Sequence, residues 1–116
     1  MAAHPSRIDP PTERAVRDFL RRIANRYPIV GARLYGSRAR GDADQYSDAD
    51  LAILLRGPRG DAMSAGVEMA GVAFDVLLET EILVSPLPIW EDEWEHPEIA
   101  SNPRLLENIR REGVAL

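Results

Sequence analysis

The chain contains no cysteine and no lysine, so all 14 of its basic side chains are arginines. Without cysteine there is no disulfide framework and no thiolate zinc site, and nothing resembles a signal peptide. We therefore expect a cytoplasmic protein. The missing lysine is better explained by a compositional bias of the source genome than by function.

Long apolar runs are also missing: none approaches the roughly 20 residues that cross a bilayer, so no membrane association is expected. The net charge of −5 argues against coating of nucleic acid, which rests on many cationic contacts to phosphates. We expect no direct sequence-specific binding of nucleic acid. An anionic ligand would have to be held locally.

A chain of 116 residues is the size of one domain. Three early prolines predict a flexible lead-in over residues 1–11, and residues 12–116 are predicted to form a single domain. Thr12 is the expected N-cap of a first helix running to about Tyr27, because apolar residues recur there at helical spacing.

Apolar runs beyond Tyr27 predict strands, separated by turns and shorter helical patterns. The predicted strands are residues 29–36, 49–55 and 72–78, with an edge strand in the proline-containing stretch 82–90; the predicted helices are 62–71, 91–95 and 103–112. This order indicates an α/β or α+β fold, a small mixed sheet flanked by helices, whose central strands are covered on both faces.

The most informative stretch is GSRARGDADQYSDAD, residues 36–50. Gly36 and Ser37 stand where a strand turns into a short helix, a place where backbone amides accept phosphate oxygens. Arg38 and Arg40 add guanidinium groups suited to phosphate. By itself a Gly-Ser pair is usually only a turn.

Asp48 and Asp50 are two apart on a predicted strand, so both carboxylates project from one face. Two such charges repel unless a cation lies between them, and Mg²⁺ is the usual choice beside substrate phosphates. The alternative is that Asp48 is only the exposed start of a strand.

Asp75 interrupts the apolar run VAFDVLL. It is either an edge carboxylate paired with an arginine or a third ligand beside Asp48 and Asp50. Three converging carboxylates can hold two metal ions for phosphoryl-type transfer.

The stretch LYGSRARGDADQYSDADLAILL resembles the signature of the polymerase-beta-like nucleotidyltransferase superfamily, in particular its minimal nucleotidyltransferases. Gly-Ser is followed after ten intervening residues by Asp-x-Asp, and FDVLLETEILVSPLPI and NIRREGVAL are similar to the rest of such a domain. The resemblance implies transfer of AMP from ATP to a hydroxyl with Mg²⁺, two ions being expected. It implies nucleotide binding at Gly36 and Ser37, and catalytic metal ligation by Asp48, Asp50 and Asp75.

Many minimal nucleotidyltransferases are antitoxins of a helical HEPN-type toxin, and some attach AMP to a toxin tyrosine. The resemblance therefore implies a co-encoded HEPN-like partner, a hetero-oligomer, and a protein adenylyltransferase of a toxin–antitoxin pair. Two alternatives stay open: a non-catalytic module that neutralises a partner by occlusion, and an aminoglycoside-type transferase acting on a small molecule.

Overall fold

The structure, a computed structural model, describes residues 8–116. Its helices and strands follow the chain in this order: α1 (Pro10–Ile23), β1 (Ile29–Tyr35), α2 (Ser37–Arg40), β2 (Ala49–Leu55), α3 (Ala62–Thr80), β3 (Val84–Trp90), α4 (Glu91–Glu95), α5 (Pro103–Glu112) and β4 (Val114–Ala115). A single 3₁₀ turn, Pro97–Ile99, joins α4 to α5. No helix among the described residues is long and apolar enough to cross a membrane.

The four strands form one mixed sheet in the order β3-β2-β1-β4. Strand β2 is antiparallel to β1 and parallel to β3, while β4 runs antiparallel to β1. The mixed sheet flanked by helices is thus confirmed. Strand β3 lies at the edge, as its prolines at 86 and 88 predicted, because a proline cannot donate to a neighbouring strand.

Helices cover both faces of the sheet. On one face α1 and α3 pack with Leu51, Ile53 and Leu55 in the larger core cluster. On the other face Leu106 and Ile109 of α5 pack against inner strand residues. The alternating side chains of β2 therefore reach two separate cores, which confirms the predicted coverage of both faces.

Helix α1 begins earlier than the sequence analysis predicted. Asp9 is its N-cap, and the Asp9 carboxylate accepts hydrogen bonds from the backbone N–H and the hydroxyl of Thr12. Ile8 is buried against the core. The predicted flexible lead-in over residues 1–11 is therefore wrong for residues 8–11, and its remainder lies outside the described residues.

The predicted strand at residues 72–78 is also wrong, because these residues belong to α3. Ala65, Met69, Ala73 and Val76 recur at helical spacing and bury one face of this helix. The parallel strands β2 and β3 need a crossover of a dozen or more residues, and α3 supplies it. Tertiary packing outweighs the local β preference of VAFDVLL.

Candidate active site

A glycine turn at the end of β1 contacts the first carboxylate inside β2. Gly36 has φ 77° and ψ −159°, a region of backbone space that glycine alone populates readily. A Cβ atom at this position would overlap Asp50 Oδ2 and lie 3.4 Å from Asp50 Cγ. Only glycine lets the turn and the carboxylate approach this closely.

Asp48 and Asp50 stand at the beginning of β2 on the sheet face that α5 covers. Ala49, between them, is fully buried in the α1–α3 core, so its neighbours point to the opposite face. Asp48 is exposed and Asp50 is half-buried. The structure thus brings Gly36 and Asp50 together, and alternation along β2 places Asp48 on the same face as Asp50.

The pKa of Asp50 is raised above its usual value, chiefly by burial and then by the negative charge of Asp48. The positive charge of Arg40 opposes this rise in part. The two carboxylates therefore repel each other when both are ionised, unless a cation binds between them.

Tyr35 is a site neighbour that the sequence analysis did not select. It is the cross-strand partner of Asp50, and its ring packs at the margin of the α5 core. Burial and the Asp50 charge raise the pKa of Tyr35 to about 12. The sequence could have indicated this role, because Tyr35 directly precedes Gly36 in a strand whose side chains alternate between the two faces of the sheet.

The two arginines of the motif have different roles. Arg38 is buried, and its guanidinium donates to the Ser47 carbonyl at 2.7 Å and to the Thr12 hydroxyl at 2.8 Å. Longer bonds of 3.4 Å reach the carbonyls of Asp44 and Gln45. Arg38 thus fastens the loop before β2 to α1, and the prediction that it offers a free charge to phosphate is not met.

Arg40, in contrast, is exposed at the end of α2. Its Nε lies 3.3 Å from an oxygen of Asp42, whose side chain is also exposed. An ion pair this open to solvent contributes little to stability. The Arg40 guanidinium is therefore free to change partners, and it is the arginine of the motif that can meet an anion.

Asp75 does not join Asp48 and Asp50. It is an exposed residue of α3, the helix that packs on the sheet face opposite to Asp50. The strand that neighbours Asp50 is β3, and the residue in register is Ser85. In residues 8–116 no three acidic or histidine side chains converge closely enough to hold a metal ion.

The remaining donor set fits one Mg²⁺ ion bound together with a phosphate ligand. Mg²⁺ keeps several waters and takes one or two protein carboxylates when a substrate phosphate completes its shell. Asp48 and Asp50 are the two carboxylates that would bind such an ion. A cage for two ions built from three protein carboxylates is absent from the described part of the chain.

The fold and this motif together define a nucleotidyltransferase-type domain, and comparison with known proteins agrees. The family model described as "Nucleotidyltransferase domain" matches residues 16–110. Because that match covers most of the chain, the protein belongs to the nucleotidyltransferase domain family.

Among solved structures the chain is similar to a "putative nucleotidyltransferase" from Sulfolobus solfataricus. The two share 17% sequence identity with a TM-score of 0.53, over 99% of this chain and 89% of the other. At that identity the likeness concerns the fold. No curated protein sequence matches the chain closely enough to count as a relative.

Proposed function

We propose that the protein is a cytoplasmic, Mg²⁺-dependent transferase that moves AMP from ATP to a hydroxyl group. The observation that carries the proposal is the contact between the Gly36 turn and Asp50. The Gly36 turn is expected to bind the triphosphate and Asp50 is expected to bind the metal, so this contact joins the two parts of the site. Both residues lie within residues 16–110, which match the nucleotidyltransferase domain family.

In this proposal each residue of the site has a separate task. Gly36 and Ser37 bind the phosphates, and Arg40 adds a positive charge to them. Asp48 and Asp50 hold the Mg²⁺ ion, which when bound neutralises phosphate charge. Arg38 keeps the loop of residues 41–48 in place, so that both carboxylates meet the ligand in a fixed geometry.

The acceptor that fits best is a tyrosine of a cognate HEPN-type toxin, as the family resemblance implies. The phenol oxygen attacks the α-phosphorus of ATP, the bond from that phosphorus to the bridging oxygen breaks, and pyrophosphate leaves. The phenol proton passes to solvent. A phenol with a pKa near 10 needs less help from a base than an alkyl hydroxyl does, which suits a site with only two acidic side chains.

A second candidate function is a nucleotide-binding antitoxin that silences its partner by occlusion, without turnover. Ser85 favours it, because the residue in register with Asp50 on β3 carries no charge. With Asp75 on the other side of the sheet, no third carboxylate joins Asp48 and Asp50 among the described residues, and a module that only binds nucleotide needs no such cluster.

Intact mass spectrometry separates the two functions. The purified chain is incubated with ATP, Mg²⁺ and a purified HEPN-type protein proposed as its partner, and both proteins are weighed. We expect the partner to gain the mass of one AMP. Tight complex formation and full inhibition of the partner without that gain would establish occlusion instead.

Two matched variants complete the experiment. Asp48→Asn removes a proposed metal ligand, and we expect it to abolish the mass gain. Asp75→Asn removes the same charge from the exposed face of α3 and should leave the mass gain unchanged. Equal loss in both variants would contradict the proposed site.

A further inference from the structure

Helix α3 carries an apolar surface that no other part of the described structure covers. Met63, Val67, Phe74 and Leu78 have 79%, 70%, 55% and 68% of their surface exposed. They lie on one side of a 19-residue helix whose opposite side is packed into the core. A helix with large apolar residues on its solvent side as well as its core side normally has a partner on each of those sides.

The order of residues along this surface is symmetric about the point between Ala70 and Gly71. Phe74 lies as far beyond that point as Val67 lies before it, and Leu78 mirrors Met63 in the same way. Two small residues occupy the centre. A second copy of α3 running in the opposite direction would therefore meet each large side chain with a large one, and the small centre with a small centre.

We propose that two copies of this chain form a two-fold symmetric dimer through antiparallel packing of their α3 helices. Such an interface is isologous, so that every contact occurs twice. Met63 packs on Leu78 of the other copy and Val67 on Phe74, while Ala70 and Gly71 let the backbones cross closely.

The charges beside this surface are compatible with the arrangement. Glu68 is paired with Arg26 at 2.7 Å, and Glu79 is paired with Arg22, so α1 neutralises two of the carboxylates on α3. In the antiparallel register Asp75 lies level with Gly66 of the other copy, two residues from Glu68, whose charge is neutralised by Arg26.

The area fits a weak, reversible dimer. Nineteen helical residues span about 28 Å, and a stripe covering about a third of the side of a cylinder about 11 Å wide and this long is roughly 320 Å² per copy. Two copies bury about 640 Å² together, which is the size of a weak, transient contact. We therefore expect dissociation on dilution.

The dimer leaves both nucleotide sites open. Asp48 and Asp50 face the side of the sheet covered by α5, whereas α3 lies on the other side. Pairing of two copies through the β3 edge of the sheet is disfavoured, because Pro86 and Pro88 lack the N–H groups that an added strand requires.

Cross-linking of single-cysteine variants tests the register, since the natural chain has no cysteine. The two copies of residue 70 lie about 1.5 Å apart along the helix axes, whereas those of residue 63 lie about 22 Å apart. A disulfide needs Cα atoms within about 7 Å. Ala70→Cys should therefore cross-link about 10-fold faster than Met63→Cys, although Met63 is also exposed, because a dimer raises the local thiol concentration.

Mixing two variants gives a positive test for the same register. A mixture of Met63→Cys and Leu78→Cys should rapidly form a cross-linked dimer that contains one copy of each variant. Each variant alone should cross-link only slowly. Equal cross-linking rates for Ala70→Cys, Met63→Cys and the mixture would indicate random collision and overturn the proposal.

Sedimentation velocity over a concentration series tests the interface without a covalent bond. A Cβ atom on Gly71 would meet no atom within 4 Å in the single chain, so Gly71→Glu should fold normally. At the two-fold axis its charge is buried, and we expect a monomer at concentrations where the natural chain is dimeric. Gly71→Ala, the matched control, should remain dimeric. A natural chain that stays monomeric throughout the series overturns the proposal.

Discussion

Gly36 and Asp50 are in contact across the junction of β1 and β2, and neither can be changed without affecting the other. The carboxylate occupies the space where any side chain at position 36 would begin. The backbone of Gly36, with its φ of 77°, would also be strained in any other residue. One glycine therefore fixes the position of one proposed metal ligand.

Replacing Gly36 tests this coupling. We expect Gly36→Ala to lower the free energy of unfolding by about 3 kcal/mol, because strain at this backbone conformation adds to displacement of Asp50. Binding of ATP with Mg²⁺ should be lost, measured by calorimetric titration.

Gly41→Ala is the control for Gly36→Ala. Gly41 also has a positive φ, 85°, but a Cβ atom there would meet nothing within 4 Å. We expect a cost of only about 1 kcal/mol from backbone strain, with nucleotide binding retained. Equal losses in the two variants would show that the Asp50 contact is unimportant.

Substitutions of Arg38 and Arg40 should separate stability from ligand binding. Arg38→Ala leaves the Thr12 hydroxyl and the Ser47 carbonyl without their charged donor, so we expect a loss of about 2–4 kcal/mol in chemical denaturation. Arg40→Ala removes an exposed side chain and should change stability by less than about 0.5 kcal/mol. Only Arg40→Ala should weaken ATP binding while the fold is intact.

The protonation of Asp50 should make stability depend on pH. Its pKa is raised in the folded protein above 3.8, so between 3.8 and that raised value the folded state binds more protons than the unfolded state. Stability therefore falls as pH rises through this window. We expect metal-free Asp50→Asn to be more stable at neutral pH, and the difference to vanish below about pH 3.8.

The gain in Asp50→Asn should stay below about 1 kcal/mol, because solvent screens a carboxyl group that is only half-buried. Thermal unfolding at several pH values measures it. A variant that is less stable than the natural chain at neutral pH would show that the carboxylate has a structural role. The same variant should have lost Mg²⁺-dependent ATP binding.

Introducing a carboxylate at position 85 tests the composition of the metal site. Ser85 is in register with Asp50 on β3, and Val84 before it is buried in the opposite core, so Ser85 shares the face of Asp50. We expect Ser85→Asp to increase Mg²⁺ affinity about 10-fold and to destabilise the metal-free protein by like-charge repulsion. Ser85→Asn, of similar size, should do neither; an unchanged affinity in Ser85→Asp would place position 85 outside the metal site.

Much of the fold followed from local patterns in the sequence. Strand β2 has the predicted bounds, and β1 ends one residue earlier than predicted. Both strands are continuous apolar runs bounded by glycine, proline or aspartate, and this pattern is typical of strands. Helix α5 has the predicted bounds, which local signals set: Asn102 caps its start, Pro103 occupies its first position and Gly113 follows its last residue. Such signals act over a few residues and do not depend on the rest of the molecule.

Residues 72–78 show where local reasoning fails. Their β-branched and aromatic content fits a strand, and Gly66 and Gly71 weaken the helical pattern before them. Helix α3 forms nonetheless, because β2 and β3 are parallel and the chain must cross over between them. Because residues 72–78 are helical, Asp75 lies on the sheet face opposite to Asp50, and the predicted cluster of three carboxylates does not form.

The sequence by itself determined the two carboxylates on one face of β2 and the Gly-Ser turn before α2, since strand period and glycine geometry are properties of short segments. Only the tertiary structure decided which residues meet across strands. It placed Asp50 Oδ2 against Gly36, aligned Ser85 with Asp50, and tied Arg38 to Thr12, 26 residues away. Register and burial depend on how distant segments pack, and no short stretch of sequence contains that information.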